Sequence, residues 1–252
     1  MYGHLSGTRG FPISTASYGD WAGDVAHLGV LIFFVISGFL ITSLLINEKE
    51  RTGSISLKRF YFRRVLRIFP AFYLFVVAVS VAALVGWFHL QGRDYVFALT
   101  YTVNYDPHAP WQFGHLWSLS IEEQFYLLWP LGMLVLRKRH ACMLAVAAVF
   151  VAPMLRAAIR EYAFHVDPGT VLAHMSIFPA MFDYLASGCA LALLRPWLLT
   201  RGWYLRLTAS RLLWLLVPLI LLINRWEGFT AVMFFGAPAQ NLCIVILIEA
   251  MT

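Results

Sequence analysis

The sequence predicts an all-α protein, a polytopic bundle of about seven or eight transmembrane helical segments, and three observations carry that prediction. Of its 252 residues, 60% are hydrophobic and only 13% charged, with a mean hydropathy of +0.71. A water-soluble domain carries about 25% charged residues, so this chain lacks the charge to cover a surface facing water. Its apolar runs are long and do not alternate, which fits helices rather than barrel strands. Its basic residues gather in short connectors between those runs, where Lys and Arg mark the cytoplasmic side of a membrane. The net charge of +6 is accounted for in that way, and no nucleic-acid partner is expected.

The stretch from Leu28 to Tyr73 sets the frame. A first span covers 28–47, opening LGVLIFFVISGFLITSLLI. A basic hinge follows with Lys49, Arg51, Lys58, Arg59, Arg63, Arg64 and Arg67, and a second span runs from Ile68 to Phe88. Each run has the length that a helix needs to cross a bilayer. Pro70 then falls near the start of the second span, where a missing N–H costs little. Residues 1–27 are too polar to span and show no signal-peptide pattern. The segment 95–105 is apolar but only half a span long, which suits a re-entrant or packed short helix, or part of an outer loop.

The remaining elements alternate in the same way. A span at 116–136 ends on Arg137, Lys138 and Arg139; the next, 141–159, is interrupted by Pro153 and Arg156. A polar outer loop at 160–172 leads to a span at 173–194 that contains Asp183. A second basic connector carries Arg195, Arg201, Arg206 and Arg211 before two final runs, 212–224 and 229–249. If 95–105 does not cross, the hinge, the 137–139 cluster and this connector all fall inside. Together they hold 14 of the 19 Lys and Arg residues; a crossing at 95–105 would send the later two clusters outside. The non-crossing arrangement is therefore preferred. No repeat or soluble domain interrupts the chain, so residues 1–252 read as one integral-membrane domain. Cys142, Cys189 and Cys243 all sit in apolar runs without metal-ligand spacing, and read as small core hydrophobes. No metal site is expected.

Charged side chains within spans are costly and default to function. Ser118, Glu122 and Tyr126 share one helix face, while Glu123 points about 100° away. Glu122, on the more polar face, is the better candidate for the bundle interior; the alternative is a glutamate hydrogen-bonded to a neighbouring helix for packing. Arg59, Arg63 and Arg67 repeat every four residues with Arg64 beside them. That cluster suits either snorkelling to lipid headgroups or an anion site, because guanidinium forks match phosphates. His4 alone is an ordinary terminal histidine with competitors at His27, His89 and His115. His115 precedes the 116–136 helix and could cap or line the same cavity. Asp183 either pairs with an Arg of the bundle or is simply packed. Gly38 and Gly188 suit close helix approach.

Together, Gly29-Val30, FFVISGFLIT (33–42), FYFRRVLRIFPAFY (60–73) and HLWSLSIEEQFYLLWP (115–130) resemble the membrane-bound acyltransferase-3 family, and FDYLASGCALAL (182–193) is similar to a later, weaker pattern of it. The resemblance implies about ten helices and an enzyme of the bacterial inner membrane that O-acylates envelope carbohydrate. Its co-substrate would be cytoplasmic acyl-CoA, acetyl by default, with no bound cofactor and a carbohydrate or glycolipid acceptor on the far side. It implies a catalytic histidine near the end of the first helix, which GHLSGTRGFP places at His4. The family's basic residue upstream of that histidine would fall before Met1, so a piece of a longer bundle is expected, without most of its first helix and its last helices.

On that resemblance, His4 would be the general base and Glu122 its charge-balancing partner. Arg63, Arg64 and Arg67 would hold the CoA phosphates. Ser37, His115, Trp117, Ser118, Glu123 and Tyr126 are the candidates to line the channel. Two rivals remain: a transporter or flippase for a sugar-linked lipid, with Glu122 and Asp183 as coupling acids, and a non-catalytic membrane scaffold.

Overall fold

The first apolar run grows into a longer helix than a bilayer crossing requires. In the computed structural model, which describes residues 19–166, 169, 174–226 and 230–251, helix α1 spans Gly19–Thr52. It continues through the charged residues expected to form a hinge. The loop shrinks to residues 53–56, closed by Gly53 at φ +78°, and α2 spans Leu57–Leu84. Arg59, Arg63, Arg64 and Arg67 are therefore helical residues, not hinge residues. Lys, Glu and Arg are good helix formers, and their long stems let the charge reach water from a helix end. The earlier start also moves Pro70 into the interior of α2, where it removes a backbone hydrogen bond instead of sitting harmlessly in the first turn.

The half-span at 95–105 resolves into two short pieces, α3 (Gly92–Leu99) and a 3-10 turn (Val103–Tyr105), and a third, α4 (Trp111–Gly114), follows before α5. Eight residues of helix reach about 12 Å, well short of a hydrocarbon core of about 30 Å. Helix α5 (Leu116–Val135) matches the expected span, at 20 residues. Helix α6 (Lys138–Val166) absorbs the start of the expected polar loop at 160–172. Helix α7 spans Phe178–Leu198, and the second basic connector folds into α8 (Gly202–Thr208) and a 3-10 turn at Arg211–Leu215. Helices α9 (Leu216–Trp226) and α10 (Thr230–Ala250) follow. Among the described residues there is no strand, and the chain is all-α.

Among the described residues, three helices, within α1, α2 and α6, are long and apolar enough to cross a membrane, and the bent pair Gly202–Thr208 and Arg211–Arg225 can supply a fourth span. Much of their surface is apolar and uncovered: Leu74 on α2 is 71% exposed, with Phe62, Leu66, Val77 and Val81 exposed beside it. Lipid is the solvent that accepts such a face.

The chain divides into two compact units. One comprises residues 1–43, 142–158 and 179–252; the other, residues 44–141 and 159–178. In the first, α1 and α7 meet backbone to backbone. A Cβ on Gly38 would run into the Leu185 carbonyl, and one on Gly188 into the Val35 carbonyl, so these glycines do bring two helices together. Cys189 and Cys243 are buried and Cys142 half-buried, and none of the three is in a disulfide. In the second unit, Phe72 and Val76 of α2 bury with Ala98, Val103, Phe113 and Leu116. This core ties the short pieces of 92–114 to the N-terminal end of α5.

Candidate active site

In the second unit, α2 presents its basic first half to α5. Of the arginines, Arg64 alone turns inward: its guanidinium stacks over the Tyr126 ring at 4.1 Å and lies 5.8 Å from the Phe60 ring. Arg63 and Arg67 are exposed. The three positions that read as one phosphate-holding cluster thus split between two faces, because Arg64 sits about 100° from Arg63 around the helix. The Tyr61 hydroxyl donates to the Leu127 carbonyl at 2.9 Å and fixes the register of α2 on α5.

Both glutamates of α5 are drawn in. Glu122 is buried, 6% exposed. Glu123, expected to point away, also has one carboxylate oxygen shut off from solvent, with no hydrogen-bond partner among the described residues. The Arg64 charge acts on it. A helix turns 100° per residue, but here neighbours cover both faces. Tyr126 is buried beneath Arg64, and Ser118 is half-buried with its hydroxyl 3.4 Å from the His115 carbonyl. His115 meets the Phe75 ring edge to face at 5.1 Å.

Trp117 lines a cavity of about 250 Å³ with Val103, Asn104, Asp106, Ala109 and Ser176. Ser37 is buried on α1, in the first unit. His4 lies outside the described residues.

Sequence reasoning missed a tight polar web on the 101–106 segment. Tyr101 adopts φ +53°, a left-handed conformation that is rare for a bulky residue. Its ring packs on Phe72 at 4.7 Å and Phe69 at 6.3 Å. The Gln124 amide donates to the Tyr101 carbonyl and to Asn104 Oδ1, both at 2.9 Å. The Tyr101 hydroxyl is enclosed without a partner among the described residues, and the Glu123 charge bears on it. Nothing in the local sequence signals a positive φ at a tyrosine. The run NYDPH, with its Asn, Asp and Pro, has only the composition common to turns.

The first unit holds a second buried polar centre. Arg156 of α6 pairs with Asp183 of α7, and Asn241 of α10 donates to the same carboxylate at 3.0 Å. Asp183 does pair with an arginine of the bundle.

A family model described as an acyltransferase domain (Acyl_transf_3) matches residues 1–248. Among curated proteins, the chain is 33% identical over 196 residues to the peptidoglycan O-acetyltransferase OatA of Listeria monocytogenes, covering 70% of this chain and 30% of that protein. It is 38% identical over 141 residues to the O-acetyltransferase OatA of Staphylococcus aureus (strain NCTC 8325 / PS 47), covering 51% of this chain and 23% of that protein. The matched stretches thus span less than a third of these relatives' length. No solved structure matches the chain.

Proposed function

The chain belongs to the acyltransferase-3 domain family, and from that premise we propose that it transfers an acyl group, acetyl by default, from acyl-CoA to a hydroxyl of an envelope carbohydrate. The observation that carries this reading is the family match along nearly the whole chain. The inward turn of Arg64 onto the acid-bearing helix α5 supports it further, since basic residues and intramembrane acids then belong to one site.

In the reaction, the acceptor oxygen attacks the thioester carbonyl. A C–O bond forms, the C–S bond breaks, and coenzyme A leaves as its thiol. His4 takes the proton from the attacking hydroxyl and returns it to the sulfur. Glu122 stabilises the imidazolium formed between those two transfers. Exposed Arg63 and Arg67 engage the CoA phosphates bidentately, while Arg64 holds the adjoining wall with Tyr126. The protein resides in the bacterial inner membrane with its basic helix ends in the cytoplasm, as the distribution of Lys and Arg favours. The CoA phosphates then lie at the inner ends of α2 and α5 and the acceptor at their outer ends, so the thioester reaches into the bundle interior and the acyl group passes to the acceptor directly or through an acyl relay.

The experiment follows label from [14C]acetyl-CoA to envelope glycan in membranes containing the full-length gene product, wild type beside His4→Ala at matched expression. Transfer lost only in the variant is the expected result. Equal transfer removes His4 from the chemistry, and no transfer from any acyl-CoA overturns the reading.

A further inference from the structure

Between Asp183 and Glu227 the sequence carries five arginines and no acidic residue. Four of them belong to the second basic connector, and the fold treats these four differently. Arg195 is neutralised: its Nε donates to both carboxylate oxygens of Glu249, at 2.9 and 3.1 Å. Arg201 lies over the Trp197 ring at 4.6 Å. Arg206 and Arg211 are exposed. None of these last three pairs with a carboxylate among the described residues. The same connector exposes Trp197, Trp203 and Trp214. Tryptophan mixed with arginine on short helical pieces marks the level where a membrane meets water.

At this level α8 and the following helical stretch bend by 60°, and a cavity of about 330 Å³ lies against the bend. Its lining is graded. Ser210 and Arg211 sit at the bend itself, Leu213 and Val217 follow in the 3-10 turn and α9, and Leu247 and Met251 come from the last turns of α10. Ser210 Oγ accepts from the Leu212 backbone N–H at 3.2 Å, which leaves its own proton to donate. The polar end therefore offers a guanidinium and a hydroxyl, both open to solvent and both suited to a phosphate. The rest of the lining is apolar, and ligand sites begin at about 300 Å³, so there is room for a stretch of one hydrocarbon chain and not for a whole lipid.

That gradient selects the occupant. A cation would face arginines with no acid to receive it. A zwitterionic headgroup would bring its own cation to the same place. Acetyl-CoA carries phosphates but no chain for the apolar part. An anionic phospholipid supplies both, and the leaflet that Lys and Arg favour is the one rich in such lipids. We propose that this cavity is a site for one anionic phospholipid, with its phosphate on Arg211 and Ser210 and part of one acyl chain along Leu213, Val217 and Leu247. The site lies wholly within the first unit and stands whether or not the chain transfers acyl groups.

The test releases the full-length protein from nanodiscs made of equal parts dioleoylphosphatidylglycerol and dioleoylphosphatidylcholine, and counts the retained lipids by native mass spectrometry. Wild type is expected to keep one phosphatidylglycerol in preference to phosphatidylcholine. Arg211→Gln should cut that preference about fivefold or more, since one basic residue at a membrane surface is worth that much. Val217→Phe keeps every charge but fills the cavity, and should abolish retention. Arg206→Gln, off the cavity, should behave as wild type. Wild type that keeps no phosphatidylglycerol, as when another part of the full-length chain or a second copy covers this face, overturns the site. Equal losses in Arg206→Gln and Arg211→Gln with none in Val217→Phe also overturn it, because a diffuse basic surface then accounts for the binding. Displacement of the retained lipid by acetyl-CoA overturns it in favour of a nucleotide phosphate.

Discussion

Arg156 and Asp183, on helices α6 and α7, form a two-pronged ion pair inside the first unit, Nη2 to Oδ2 at 3.0 Å and Nη1 to Oδ1 at 3.3 Å. Both side chains are almost wholly buried, 2% and 0% exposed. Arg156 also donates to the Ala180 carbonyl and packs over the Tyr184 ring, and Asn241 completes the shell around the carboxylate. Two charges this deep are tolerable only together, since removing one leaves the other uncompensated.

Asp183→Leu and Arg156→Leu are therefore each expected to destabilise the protein by about 3–5 kcal/mol, and the double variant by less than either alone. Thermal unfolding in detergent, followed by fluorescence-detected size exclusion, reads this directly. Additive losses in the double variant would show that the pair is not coupled.

The α1–α7 contact gives a second expectation. Gly38→Ala and Gly188→Ala each place a methyl group against a facing backbone carbonyl. Backbone cannot swing aside as a side chain does, so the cost is expected to reach or exceed the 1–3 kcal/mol of ordinary overpacking. Gly29→Ala, on the same helix with nothing within 4 Å, is expected to be neutral or slightly stabilising through helix propensity. Equal melting temperatures for all three variants would refute the close packing.

These contrasts mark what could be read from the sequence. Helix type was legible because hydropathy acts over about 20 residues, and Gly38 and Gly188 because small residues in apolar runs have few other uses. Helix ends were not: charged residues at 48–52 and 57–67 read as a loop, yet they extend helices, since hydropathy is blind to helix propensity. For the site, the glutamates and arginines stood out by cost alone. The inward turn of Arg64, and not of Arg63, depends on which face of α2 meets α5, and that is a tertiary fact. The Tyr101–Asn104–Gln124 web was invisible because three ordinary polar residues acquire meaning only when folded against one another.

Arg64 and its neighbours are expected to separate in their effects. Arg64→Ala removes the stack on Tyr126 and the charge beside Glu123, and should lower stability by about 1–2 kcal/mol, a desolvated cation–π contact being worth that much. Arg64→Lys should recover only part of it, because an ammonium lacks the planar face. Arg63→Ala and Arg67→Ala, both exposed, should leave the melting temperature unchanged while raising the KM for acetyl-CoA. An unchanged KM in both would assign those two arginines to lipid headgroups.

Tyr101 offers the last expectation. Its left-handed backbone costs about 1–3 kcal/mol and is held by the ring packing on Phe72 and by the hydrogen bond from Gln124 to its carbonyl. Its enclosed hydroxyl adds no bond among the described residues. Tyr101→Phe should therefore keep or raise the melting temperature, whereas Tyr101→Ala should lose about 3–5 kcal/mol with the aromatic packing. If the hydroxyl serves only to fill space, acetyl transfer in Tyr101→Phe will match wild type. The position of Glu123 beside it leads us to expect slower transfer at unchanged stability, a split that packing alone does not produce.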